Sequence, residues 1–180
     1  HVAGASVATS LGIFMPGFSQ AQTFCDNVKN PLEIFFNDAR TAVELADLDG
    51  DGDLDAFGSA KDGGMLYYEN IGDKANPAFV RIDRDESPFP SGGQVGGYTA
   101  AFNAVDIDGD GDLDLFAGDK YSFSDTDGEV FFYENVGDTN NAVFEARTGE
   151  DNPLSFVDVG EEALPFLTDL DGDGDLDAAI

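Results

Sequence analysis

The chain reads Asp47-Leu-Asp-Gly-Asp-Gly-Asp-Leu-Asp55 at the point that decides its fold, with an aspartate at every second position. Nearly the same nine residues return at 106–114 and at 169–177. The three copies begin 59 and 63 residues apart, and together they hold fifteen of the 37 acidic residues. A segment that returns at a spacing of this size predicts tandem repeats, each one a supersecondary unit.

Each copy is predicted to be a loop that binds a cation. Glycine and aspartate are poor strand formers, so the alternation does not indicate a strand. Several carboxylates in one loop suit Ca²⁺, which accepts about 6–8 oxygen ligands in loose geometry, whereas Mg²⁺ demands a tighter octahedron. Gly52, at position 6 of the first loop, allows the sharp turn that such a loop needs. The alternative is a solvated acidic turn that holds no ion.

The five aspartates of each loop are its predicted ligands. Positions 1, 3, 5 and 9 would offer side-chain oxygens, and position 7 would offer its backbone carbonyl. We expect one Ca²⁺ per loop, two to three in the chain, with the third loop weaker because the strand that should brace its last aspartate is cut short. The predicted ligands are Asp47, Asp49, Asp51, Asp53 and Asp55, then Asp106, Asp108, Asp110, Asp112 and Asp114, then Asp169, Asp171, Asp173, Asp175 and Asp177.

An EF-hand is the main rival, and the sequence argues against it. Position 12 of an EF-hand loop is a glutamate, but the residues here are Gly58, Ala117 and Ile180. The flanks of the first loop have the composition of short strands and not of helices. Tandem calcium arrays of the thrombospondin or RTX type would place their loops much closer together than this chain does.

Length and composition are consistent with one folded domain. The chain has 180 residues, of which 42% are hydrophobic, including 16 Phe and 5 Tyr, so it can build a core. Its net charge of −29 argues against nucleic acid and anionic membrane surfaces as partners. The only cysteine, Cys25, excludes an internal disulfide and a thiolate metal cluster. It would pair with another chain or serve as a small buried hydrophobe.

Residues 1–22 are interpreted as a truncated signal peptide. Residues 2–14 are apolar or small and carry no charge, residues 15–17 break the run, and residues 19–21 resemble the segment before a signal-peptidase cut. The apolar run is too short to span a bilayer, so we expect no membrane insertion. A hydrophobic N-terminal strand is the alternative. Secretion would fit the loops, since weak calcium sites stay loaded outside the cell.

The rest of the chain predicts four short strands per repeat and no convincing helical period. Asn-Pro-Leu, or Ser-Pro-Phe in the second case, precedes each acidic loop at 30–32, 87–89 and 152–154. After a loop come a strand, a turn, an aromatic strand that ends in Tyr-Glu-Asn, a glycine turn and a last strand. The predicted strands are 41–46, 54–59, 65–70 and 78–82 in the first repeat, and 113–118, 130–135 and 142–146 in the second.

Repeats of about 60 residues with four antiparallel strands are typical of propeller blades. These repeats resemble the FG-GAP/VCBS family, which includes the blades of integrin α-chain propellers and repeats of many bacterial secreted proteins. The resemblance covers roughly residues 24–180. It rests on the three DxDGDGDLD loops, Phe57-Gly58, the Tyr-Glu-Asn-x-Gly segments at 68–72 and 133–137, and the Asn-Pro-Leu segments. The bacterial form is the closer match, because a clear Gly-Ala-Pro element is missing.

The resemblance implies an all-β fold at residues 23–180, a partial β-propeller of four-stranded antiparallel blades. The chain would hold two complete blades and the start of a third, with each calcium loop joining the first and second strands of a blade. Closed propellers need about 4–8 blades, so we expect the parent protein to continue.

The expected function is that of a calcium-binding, secreted or cell-surface propeller module that binds an extracellular protein or glycan, for instance in adhesion. The alternative is the propeller portion of a secreted polysaccharide-degrading enzyme whose active site lies elsewhere. We expect no catalytic site in these residues, because the only histidine is His1 and no serine has a nucleophile-elbow context.

Overall fold

A computed structural model describes residues 42–60, 64–89, 98–121, 128–160 and 162–180. The predicted signal peptide at 1–22, Cys25 and the first Asn-Pro-Leu segment at 30–32 lie outside the described residues. In the described parts, the chain is all-β and has no α-helix; a single 3-10 turn covers Gly149–Asp151.

In the part of the chain that the structure describes, ten short strands form three antiparallel sheets. The first two sheets have four strands each, in the orders β1-β2-β3-β4 and β5-β6-β7-β8, and β9 and β10 form a two-stranded third sheet. Strands that follow one another along the chain are therefore neighbours in the sheet. The strands are β1 Val43–Ala46, β2 Asp55–Ser59, β3 Met65–Asn70, β4 Phe79–Ile82, β5 Tyr98–Val105, β6 Asp114–Tyr121, β7 Val130–Asn135, β8 Phe144–Arg147, β9 Phe166–Thr168 and β10 Asp177–Ala179.

The order of elements confirms the four predicted strands per repeat. The aromatic strands β3 and β7 have the predicted bounds, and each acidic loop joins the first two strands of its sheet. β6 continues three residues beyond its predicted end because it pairs along β5, which reaches Tyr98 and has an irregular register at that end. β8 begins two residues later than predicted, at Phe144.

A cluster of aromatic rings fills the space between the first two sheets. Phe89, which follows β4 in the Ser-Pro-Phe segment, is 2% exposed, and its ring stacks on Phe144 of β8 with centroids 5.0 Å apart. The ring of Phe57 in β2 lies 5.7 Å from both Phe89 and Phe102. The connection between the repeats thus contributes a wedge to the core, and burying a side chain of this size stabilises the fold by about 1.5–3 kcal/mol.

The second and third sheets are joined in the same way. Leu154, from the Asn-Pro-Leu segment, lies in a buried cluster with Phe116, Phe132 and Leu167. Asn152 fixes this segment, because its side-chain amide donates to the Val130 carbonyl oxygen (2.8 Å) and its Oδ1 accepts from Leu154 N (2.9 Å). The sequence match between 87–89 and 152–154 therefore corresponds to one structural role, a wedge between neighbouring sheets.

Side chains on the first strand of each sheet also bind the next sheet. Glu44 in β1 accepts a hydrogen bond from the Ala104 backbone in β5, and burial nevertheless raises the pKa of Glu44. Asn103 in β5 accepts one from Leu167 N in β9, at 2.8 Å. Both acceptors stand three residues before an acidic loop and both donors stand two residues before the next loop. The same contact thus repeats from sheet to sheet and fixes the relative position of the loops.

The first acidic loop contacts the second repeat directly. Gly50, with φ of +70°, lies against the turn between β7 and β8, and a Cβ at this position would be 2.6 Å from Asn140 Oδ1 and 2.7 Å from the Thr139 carbonyl oxygen. Gly109, the equivalent glycine of the second loop, has φ of +79° and no heavy atom within 4 Å of a Cβ position. The two glycines share a backbone conformation and differ in their neighbours.

This pair provides a test of the contact between repeats. Gly109→Ala should lower the free energy of unfolding by about 1–2 kcal/mol, the cost of a left-handed conformation for an alanine. Gly50→Ala should lower it by a further ~1–3 kcal/mol, because the new methyl group overpacks the junction with the second repeat. Urea denaturation of the two variants measures the difference, and equal losses would show that the turn does not rest on the first loop.

Candidate metal centre

Within each acidic loop, the aspartate side chains organise the backbone. Asp47 Oδ1 accepts from Gly50 N (2.8 Å), Asp49 Oδ1 from Asp51 N (3.2 Å) and Asp51 Oδ1 from Asp53 N (2.9 Å). The second and third loops have the same three bonds at equivalent positions. Aspartate favours turns because its side chain bonds to nearby backbone amides, and here this preference folds the loop around its own carboxylates.

The folded loops bring three carboxylates together. In each loop, three of them place one oxygen each within 4.8 Å of the others. Positions 1 and 3 belong to the group in every loop; the third member is position 5 in the first loop and position 9 in the other two. The groups are Asp47, Asp49 and Asp51; Asp106, Asp108 and Asp114; and Asp169, Asp171 and Asp177. The other predicted ligands are not members of these groups; they are Asp55, Asp110 and Asp173 and the position-7 residues Asp53, Asp112 and Asp175.

The aspartate at position 9 ties the loop to the sheet. Asp55 is 1% exposed, and its Oδ2 accepts from Leu48 N (3.1 Å) while its Oδ1 accepts from Asn70 N at the end of β3 (2.8 Å). Asp114 makes the same two bonds, to Ile107 N (3.2 Å) and Asn135 N (2.8 Å). Because a carboxylate has about four lone-pair sites, these bonds leave acceptor capacity for a cation.

The asparagine of each Tyr-Glu-Asn-x-Gly segment continues this connection. Asn70 donates its backbone N–H to Asp55, and its Oδ1 accepts from Gly72 N (3.2 Å) and Ala78 N (2.8 Å) across the β3–β4 turn. Asn135 does the same in the second repeat. The recurring motif thus links the acidic loop to a turn on the neighbouring strands. The sequence shows this motif in both repeats, but it does not indicate the role of the asparagine.

The first repeat has one further bond that sequence reasoning missed. The hydroxyl of Tyr67 donates to Asp55 Oδ2 at 2.9 Å, and burial together with this carboxylate raises the pKa of Tyr67. Phe132 occupies the equivalent place in β7 and stacks on Phe116, with centroids 4.7 Å apart. The signal was present in the sequence as a Tyr-to-Phe difference between repeats, but only the strand register shows that position 67 faces the loop.

In the first two loops the aspartate at position 7 is buried and incompletely bonded, whereas Asp175 of the third loop is exposed. Asp53 and Asp112 are each 6% exposed, and the Oδ1 atom of each has no hydrogen-bond partner. A buried carboxylate oxygen without a partner costs free energy unless a cation or a proton neutralises it. The expectation that position 7 offers only its backbone carbonyl stays a prediction. The structure adds that, in the first two loops, its side chain is buried with one oxygen that has no partner.

Several aspartates of the first two loops have raised pKa values, as expected where carboxylates crowd together without a positive charge. Burial, reinforced by the neighbouring carboxylates Asp110, Asp114 and Asp108, raises the pKa of Asp112 to about 6. Burial also raises the pKa of Asp53, Asp55 and Asp114, and backbone and tyrosine hydrogen bonds offset only part of the rise at Asp55. A divalent cation would relieve the same repulsion that a proton relieves.

A hard divalent cation fits these loops. The donors are carboxylate oxygens, three of them already gathered within 4.8 Å, and a buried oxygen that lacks a partner stands beside them in the first two loops. Oxygen donors of this kind suit Ca²⁺ or Mg²⁺ and do not suit soft metals, which prefer thiolates and imidazoles. The residues that would hold the ion are those at positions 1 and 3 together with position 5 or 9.

These features define a repeat protein of the all-β class, with one candidate metal loop between the first two strands of each repeat. Residues 47–117 match the family model of the FG-GAP-like repeat. This segment, which runs from the first loop into β6 and so contains a full period, is an FG-GAP-like repeat, as the resemblance implied. Repeats of this family are typical of extracellular proteins. No curated protein matches the chain.

The structure also bears on membrane insertion. Among the described residues there is no helix with the length and hydrophobicity needed to cross a bilayer.

The bonds of Asp55 predict a structural role that does not depend on the metal. Asp55→Ala should lower the free energy of unfolding by about 2–4 kcal/mol even with a chelator present, because it leaves the amides of Leu48 and Asn70 without their buried acceptor. Asp51→Ala, at an exposed position of the same loop, should change the metal-free stability by less than about 1 kcal/mol. Urea denaturation in chelator compares them, and a similar loss for both would contradict the assignment of Asp55 as the anchor.

The raised pKa of Asp112 predicts an unusual pH dependence. The folded, metal-free chain holds a proton on Asp112 up to about pH 6, whereas the unfolded chain loses it near the ordinary value of 3.8. The contribution of Asp112 to the free energy of unfolding therefore rises as the pH falls through about 6. In chelator, Asp112→Asn should be more stable than the wild type at pH 8. Thermal melts should show this advantage shrink as the pH falls below about 6 and disappear only below the unfolded pKa of 3.8. An advantage that does not change with pH would contradict the prediction.

Proposed function

We propose that the chain is a calcium-binding repeat module of a secreted or cell-surface β-propeller that binds an extracellular protein or glycan. The observation that carries the calcium proposal is the convergence of three carboxylates within 4.8 Å in each loop, beside a buried carboxylate oxygen without a partner in the first two. Ca²⁺ is favoured over Mg²⁺ because each loop offers many flexible carboxylates, which suits a larger coordination number.

The propeller proposal rests on the way the sheets follow one another. The first two sheets are four-stranded meanders, the first strands of successive sheets are joined by the same side-chain-to-backbone bond, and a buried apolar residue fills each junction. Repetition of one junction is how blades are arranged around a propeller axis. The third sheet, β9 and β10, would then be the beginning of a further blade.

A binding role, rather than a catalytic one, is proposed for this module. Strong negative charge disfavours nucleic acid and anionic surfaces, so the proposed ligand is a protein or a glycan that meets a rigid set of loops. Calcium would contribute by holding those loops in one conformation. The clustered carboxylates are explained by the metal and by the loop fold, so no pair of acids is left for acid–base chemistry among the loop residues.

Calcium binding predicts a strong effect on stability. When the free Ca²⁺ concentration is one hundred times the dissociation constant, each occupied site raises the free energy of unfolding by about 2.7 kcal/mol, and two sites raise it by roughly 5 kcal/mol. A chelator should therefore lower the melting temperature by ten degrees or more, to order of magnitude. Calorimetric titration and thermal melts in Ca²⁺, Mg²⁺ and chelator measure this.

The matched variants for this test are Asp49→Ala, Asp108→Ala and Glu150→Ala. The first two remove a position-3 ligand from one loop each, and each should abolish one calcium-binding event. Glu150→Ala removes one exposed negative charge outside the loops and should leave calcium binding unchanged. Absence of any calcium-dependent heat, or equal affinity for Mg²⁺, would overturn the calcium proposal.

A further inference from the structure

The three acidic loops are nearly identical in sequence, but one of them has a cation beside it. Lys74, in the turn between β3 and β4, extends over the first loop: a Cβ at Gly52 would lie 3.5 Å from Lys74 Nζ and 3.8 Å from its Cε. The equivalent glycines Gly111 and Gly174 have no heavy atom within 4 Å of a Cβ position. The first loop therefore has a neighbouring positive charge that the described surroundings of those two glycines lack.

The second repeat has the same turn without the lysine. Asp73 and Asn76 close the β3–β4 turn with paired backbone bonds, and Asp138 and Asn141 close the β7–β8 turn in the same way. Thr139 is the residue that corresponds to Lys74. Since the two turns share their hydrogen bonds and each is fixed to its own loop through an asparagine, a lysine at position 139 would stand over Gly111.

The loops also differ in shape at this glycine. Gly111 N donates to Asp106 Oδ2 and Gly174 N donates to Asp169 Oδ2, both at 3.1 Å. In the first loop, whose residues are all described, Gly52 makes no such bond to Asp47. The first loop likewise gathers position 5 instead of position 9 into its carboxylate group.

We propose that Lys74 lowers the calcium affinity of the first loop below that of the second; this inference rests on the calcium binding proposed above. Two effects act in the same direction. The ammonium group repels an incoming divalent cation, and it offsets part of the carboxylate repulsion that makes the empty loop unfavourable. For a charge roughly 8 Å from the ion in a water-like dielectric, the expected weakening is about threefold to fivefold at low salt.

The experiment exchanges the two residues in the full 180-residue chain. Calcium titrations follow Lys74→Thr, Thr139→Lys and the double variant by calorimetry, and the amide NMR signals of Gly52 and Gly111 assign each binding event to its loop. Lys74→Thr should raise the calcium affinity of the first loop about threefold to fivefold. Thr139→Lys should lower the calcium affinity of the second loop by a similar factor. In the double variant the first loop should therefore bind Ca²⁺ more tightly than the second.

Two controls separate charge from structure. Lys74→Arg keeps the charge and should leave the affinity of the first loop unchanged. Raising the ionic strength to about 1 M shortens the Debye length to about 3 Å, so the difference between Lys74→Thr and the wild type should largely disappear. Both residues are exposed, although the backbone of Thr139 also lies against Gly50 of the first loop. Circular dichroism in excess calcium therefore checks that each variant folds.

The outcomes distinguish this inference from the proposed function. If both loops bind Ca²⁺ and neither exchange changes its loop's affinity, or if Lys74→Arg acts like Lys74→Thr, the role of the Lys74 charge is overturned and calcium binding stands. If neither loop of the wild type or of any variant binds Ca²⁺, the proposed function and this inference are overturned together.

Discussion

Repulsion between carboxylates that the backbone holds close together is the constraint on which the rest of the structure depends. Two carboxylates about 4 Å apart repel by roughly 1–4 kcal/mol, depending on the effective dielectric, and each loop gathers at least three. The loop holds them by using backbone amides as donors, and it buries one further carboxylate, at Asp53 or Asp112, without a partner for its Oδ1. The raised pKa of Asp112 is the direct consequence. A positive charge, either a cation or a proton, would relieve this repulsion.

The same loops are part of the connection between repeats. Asp55 and Asp114 attach their loops to the aromatic strands, and Asn70 and Asn135 extend that attachment to the following turns. One of those turns then rests on Gly50 of the preceding repeat. The first loop therefore contacts the second repeat directly at Gly50, and Asn135 and Asp114 connect the contacted turn to the second loop. If the loops bind a metal as proposed, its removal should therefore affect the structure beyond the loop itself.

Nearly identical loops can still have different surroundings. The first repeat has Tyr67 bonded to Asp55 and Lys74 above Gly52, whereas the second has Phe132 and Thr139 at those places. Both differences lie outside the nine-residue loops. In the proposed function, the aspartates of a loop would determine which kind of ion it accepts, since they supply the oxygens. The residues around the loop would modulate the affinity, since they set the local charge and the shape of the loop.

The sequence by itself determined the repeat, its four strands and the position of the acidic loops. It could do so because glycine and aspartate exclude regular strands, alternating aromatic segments favour them, and both effects are local. Tertiary structure decided what depends on residues far apart in the chain. The wedge role of Phe89 and Leu154, the anchoring of Asp55 to Asn70, the burial of Asp53 and the approach of Lys74 to Gly52 all arise from strand register and sheet packing. A one-residue shift in register would turn these side chains to the opposite face, and no local pattern specifies which neighbour a turn will meet.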